Sequence, residues 1–145
     1  MANTVSNHCL YQLITKKIDL SADSIIIILM ASGFVFNKDT HATYADVSAS
    51  ELATGNGYTQ GAKVLANVVV EEDDTNDRGR AYWDDAQWTA SGGNIGPSPC
   101  AIVIDDTTTD NTILGCIDFA SDKTATDGGV FAVENIDFAI TGAVA

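Results

Sequence analysis

Ser24-Ile-Ile-Ile-Ile-Leu-Met30 holds five large aliphatic side chains in succession with no polar residue among them. Successive side chains of a strand point to opposite faces, so this run has no face to give to water. It reads as a central strand that is covered on both sides, or that turns one side to a partner subunit. Around it, Gly, Asn, Asp, Ser and Thr cluster between short runs rich in Val, Ile, Phe, Tyr and Trp, which mark turns between strands. With 24–34 as the central element, the other candidate strands are 10–15, 63–71, 80–83, 87–89, 100–104, 112–119 and 130–141. The spacing predicts an all-β chain: an antiparallel β-sandwich, a jelly-roll being one arrangement it admits, with long loops and at most one short helix.

The flanking strands carry finer detail. Over 112–119, Ile113, Ile117 and Phe119 share one parity while Leu114, Cys116 and Asp118 share the other, and Gly115 leaves a gap for a neighbouring aromatic or backbone. In 130–141 the inward parity changes from Phe131 and Val133 to Ile136, Phe138 and Ile140, which predicts a β-bulge near Glu134–Asn135. The short helix is expected within 46–54, where Ser48 and Glu51 have capping-box spacing and Gly55 sits at a helix end. The polar, glycine-bearing connection 37–61 is long enough to carry contacts with partners.

The 145 residues, 46% hydrophobic and 19% charged, suit one globular domain spanning 1–145, with residues 1–9 read as an extended N-terminal arm. Twenty acidic against seven basic residues give a net charge of −13. That balance argues against nucleic-acid phosphates or anionic lipid as partners, and reads either as complementary to a cationic partner surface or as a solvated acidic surface that aids solubility. The opening residues lack the basic and apolar regions of a signal peptide, and the aliphatic run falls far short of the roughly 20 residues of a membrane span. Cys9, Cys100 and Cys116 have no CxxC spacing and read as reduced, mostly buried thiols of a protein made in a cytoplasm, with one disulfide left open.

Chemistry-bearing patterns are sparse. His8 and His41 lie in polar segments, His8 and Cys9 would face opposite sides of a strand, and no GxSxG elbow is present, so no catalytic residue is assigned. The acidic runs Glu71–Asp77 and Asp105–Asn111 offer oxygen ligands for a hard cation but lack EF-hand spacing, and turn chemistry explains both. No metal or cofactor is expected. Gly92-Gly93-Asn94-Ile95-Gly96-Pro97 lacks the lysine and helix of a phosphate loop. Trp83-Asp-Asp-Ala-Gln-Trp88 has the composition of a sugar-binding patch and equally of an apolar plug, the plug being favoured.

Met1-Ala-Asn-Thr-Val5, Ile18-Asp-Leu20, Thr43-Tyr-Ala-Asp-Val47 with Glu51, and Gly55-Asn-Gly-Tyr-Thr59 set an order of elements. Ala81–Trp88, Ala101-Ile-Val-Ile104, Ile117-Asp-Phe119 and Gly128-Gly-Val-Phe131 continue it. Together they resemble the small β-rich virion proteins of tailed bacteriophages, a resemblance that spans nearly the whole chain and departs at Glu134-Asn-Ile-Asp137. The resemblance implies a non-enzymatic structural protein made in the bacterial host cytoplasm. Its expected place is the capsid surface, as a decoration or cement protein that binds the major capsid protein as a homotrimer. The rival expectation is a tail or tail-fibre domain that binds host glycan or another tail protein. Candidate interface residues are Val5, Leu10, Tyr11, Tyr44, Tyr58, Tyr82, Trp83 and Trp88.

Overall fold

The structure, a computed structural model, describes residues 2–142. Its centre is a five-stranded antiparallel sheet in the order β1-β8-β7-β2-β3, built from Ala2–Val5, Ile113–Ala125, Ile95–Asp105, Ile25–Leu29 and Lys63–Val64. As its sequence requires, β2 is buried over its whole length. Ile25, Ile27 and Leu29 face one apolar cluster with Ala101, Val103, Leu114 and Ile117. Ile26, Ile28 and Met30 face a second with Cys100, Ile102, Ile104 and Cys116. The second face is roofed by the chain's own 31–50 segment, which lays Phe34, Phe36, Tyr44 and Val47 on it. No partner subunit is needed to cover either side of β2.

The first face packs against a second layer made of two small sheets, β10-β5-β4 (Asp137–Thr141, Arg78–Tyr82, Val69–Asp73) and β6-β9 (Ala86–Thr89, Val130–Val133). The fold is therefore mainly β and sandwich-like, as expected. The two small sheets are one ribbon bent once. Tyr82 pairs with Asp137 before the bend and Ala86 with Val133 after it, so equal lengths of chain are spent on both strands. Trp83 N–H donates to Ile136 C=O at 3.1 Å in the gap between them. The parity change read in 130–141 is real, but its cause is this bend, with Asn135 at φ 57°, and not a bulge, which would add an unmatched residue.

Three other readings need correction. Segment 10–15 is not a strand: α1, Asn7–Ile14, occupies it, started by Ser6, whose Oγ accepts from Cys9 N–H at 3.0 Å. Ser6 Oγ also donates to Ile113 C=O at 2.5 Å, so the cap is fixed from the sheet side. Residues 2–5 are not a free arm but pair in register with β8 from Ala2↔Asp118 to Val5↔Gly115. In β8, Ile117 and Phe119 do share a face, but Ile113 and Leu114 are exchanged relative to the expectation, because the β7–β8 register slips between Val103 and Ile104. A bulge flips the parity of every residue beyond it.

The expected short helix lies slightly earlier, as α2, Tyr44–Val47, followed by a single 3-10 turn, Ser48–Ser50. Its capping box joins Thr43 and Asp46, not Ser48 and Glu51.

Candidate functional site

The eight proposed interface residues do not share one setting. Tyr58, Trp83 and Trp88 are 2%, 6% and 5% exposed and belong to the core, which removes them from any surface. Trp88 sits between Tyr58 and Phe131, with ring centroids 5.9 and 6.3 Å away, and is the plug its sequence suggested. Tyr82 is half-buried, and the Arg80 guanidinium lies 4.3 Å above its ring. Tyr44 is tied inward through its hydroxyl. That leaves Val5 on β1 and Leu10 and Tyr11 on α1, the first two half-buried and Tyr11 exposed.

The 37–61 connection is held from inside. Glu51 is buried, and its carboxylate accepts from Tyr44 Oη at 2.5 Å, Tyr58 Oη at 2.7 Å and Gly61 N–H at 2.8 Å. Tyr58 Oη in turn accepts from Leu29 N–H at 2.9 Å, so the loop is anchored on the central strand. Burial, then the Glu51 hydrogen bond and charge, push the Tyr44 phenol up to about 12. The same causes act on Tyr58 in the same direction. From the sequence Glu51 reads as the capping-box partner of Ser48 and as part of a motif, neither of which is its role here. The cue to its role is the placing of a tyrosine seven residues to either side.

An apolar surface lies open where α1 meets the ribbon. A groove of about 410 Å³ runs there between Cys9 and Leu13 of α1, Leu114 of β8, and Ala81, Phe138 and Ile140 of the ribbon. Two of its lining side chains stay in water: Val70 is 52% exposed and Ile140 44%. Glu71, Glu72 and Arg80 supply its polar margin, Arg80 Nε lying 3.3 Å from Glu71 Oε1 and 3.7 Å from Asp137 Oδ2. Of the interface residues proposed from sequence, Val5 lines this groove and Leu10 and Tyr11 do not. Sequence reasoning missed Cys9 and Leu13 there, because a strand reading scatters side chains that a helix brings to one side.

Each acidic run leads from the end of a strand into a turn. Asp73 accepts from Asn76 Nδ2 and from Arg78 Nε at 2.7 Å across the β4–β5 hairpin. Asp105 Oδ1 accepts from the Thr107 and Thr108 amides at 2.9 and 3.2 Å. The neighbouring Asp110 meets His8 Nε2 at 2.8 Å and Gln12 Nε2 at 3.3 Å, which fastens α1 to that turn. Among the described residues, no three His, Cys, Asp or Glu side chains converge as a metal site.

The three cysteines are free and buried. Burial, with a smaller effect of Asp105, pushes the Cys9 thiol up to about 12. The Cys116 thiol is raised by its hydrogen bond with Cys100 and by burial. Thiols shifted in this direction are poor nucleophiles near neutrality. Compared with known families, curated proteins and solved structures, the chain matches none.

Proposed function

We propose that this chain is a structural virion protein of a tailed bacteriophage, a capsid decoration protein that binds the lattice of the major capsid protein as a homotrimer. The observation that carries the reading is the apolar groove beside α1, lined by Val5, Cys9, Leu13, Val70, Phe138 and Ile140, of which Val70 and Ile140 stay exposed. Contiguous exposed apolar surface of this kind is a mark of partner docking. A sheet covered on both faces gives that surface a stiff support, and the −13 charge suits display away from packaged DNA. Weak docking repeated over many lattice positions gives firm attachment through multivalency. The glycan-binding rival loses its two indoles to the core, and Arg80 takes the ring face of Tyr82.

Copy number in purified particles tests this, measured by quantitative mass spectrometry against the major capsid protein. The expected result is a count comparable to that of the lattice subunit. A small multiple matching tail symmetry would transfer the role to the tail, and absence from particles would overturn both.

A further inference from the structure

Asp105, at the end of β7, is fully buried, 0% exposed. Its Oδ1 is satisfied by two backbone amides, but its Oδ2 meets no donor. The residue is pinned there. Asp105 pairs with Ile25 in the sheet, Asp106 N–H donates to Ser24 C=O at 2.9 Å, and Ser24 N–H donates to Thr107 Oγ1 at 2.8 Å. These bonds bring the adjacent Asp23 carboxyl against Asp105, within hydrogen-bond reach. Asp23 Oδ2 accepts from Asp19 N–H at 2.8 Å. Two carboxylates with no cation between them cannot both stay charged cheaply in a water-poor site.

We propose that Asp23 and Asp105 share one proton across the β2–β7 seam, and that loss of this proton on raising the pH loosens the turn on which α1 is fastened. The path is continuous. Thr108 Oγ1 accepts from Thr112 N–H at 2.8 Å, Thr112 Oγ1 donates to Asp110 Oδ1 at 2.6 Å, and Asp110 holds His8 and Gln12 of α1. The titratable groups around the pair are Cys9 from α1 and, at the far end of the turn, the His8–Asp110 pair.

Burial first, and then the hydrogen bond and charge of Asp23, raise the Asp105 carboxyl to about 7, against a downward pull from the Thr107 and Thr108 amides. The sign follows from linkage. Between the ordinary carboxylate value and this raised one, the folded chain holds a proton that the unfolded chain has released, so stability falls as pH climbs and levels off above the raised value.

Thermal unfolding from about pH 5 to about pH 8.5 is the test. The wild-type Tm should fall from the acid end of that range up to about pH 7 and level off above it. Asp105→Asn keeps an acceptor for both amides and supplies a fixed donor to Asp23, so its Tm should lose this fall and exceed the wild-type value at the alkaline end. Asp23→Asn supplies the donor from the more exposed side and should flatten the profile likewise, which keeps the test open if Asp105→Asn does not fold. His8→Gln should retain the fall. A fall that persists in both Asn variants overturns the proposal. So does a Tm rise on adding calcium or magnesium at alkaline pH that occurs in the wild type and not in the Asn variants, since a cation would then occupy the proton's place.

Discussion

Gly115 shows how one missing atom holds two layers together. A Cβ built there would collide with the Thr4 carbonyl oxygen of β1 and lie 2.6 Å from Phe138 Cε1 of the ribbon. Backbone on one side and an aromatic ring on the other both use the space, which is the gap its place in the strand suggested. Gly115→Ala should therefore destabilise the fold by about 1–3 kcal/mol, the usual cost of overpacking. A Tm lowered by several degrees in calorimetry would bear this out, and an unchanged Tm would show that β1 can move aside. Gly57 is fixed by a similar approach: its φ is 94°, and a side chain there would run into the Thr89 carbonyl. The Gly-Asn-Gly-Tyr-Thr motif is thus a packing device that seats Tyr58 beside Trp88. Such roles depend on what comes near from distant parts of the chain, so the motif could be seen in the sequence but its purpose could not.

Among the elements, β4 is the outermost strand of its sheet, and its Val69 and Val70 are exposed. Unpaired strand edges invite pairing with other chains, and charge along the edge is a common safeguard. Glu71, Glu72 and Asp73 follow directly, so two copies approaching by this edge would bring like charges together. Replacing Glu71 and Glu72 by Gln should raise self-association in sedimentation at low salt, while the wild type shows the increase only as salt screens the repulsion. Equal behaviour of the two would assign the safeguard to something else. The elements also show what the sequence could and could not reveal. Strand β2 was legible because five aliphatic residues leave no choice of face. Helix α1 was not, since Leu10, Tyr11, Leu13 and Ile14 satisfy a short strand as readily as a helix until Ser6 is known to be gripped by Ile113. The groove shared that fate, because one of its walls is that helix.

Taken whole, the molecule is one covered sheet with a bent ribbon laid across it, and the covering is unequal. The 31–50 segment closes one face with its own aromatic side chains, including His41 stacked on Phe34 at 5.3 Å, whereas the ribbon leaves the groove beside α1 open. The ribbon keeps equal residue counts on its two strands through the bend, from Trp83 to Asp85 on one and from Glu134 to Ile136 on the other. A one-residue insertion on either side of the bend would throw every partner beyond it onto the wrong face, exchanging Trp88 and Phe131 for their exposed neighbours. Extra residues in the tip at 74–77 would only lengthen a turn in water. A scan of single-alanine insertions, read by soluble yield, should show collapse at 84 and 135 and tolerance at 75. Length variation is thus confined to the outer rim of the ribbon, and its middle must stay at a fixed count whatever residues fill it.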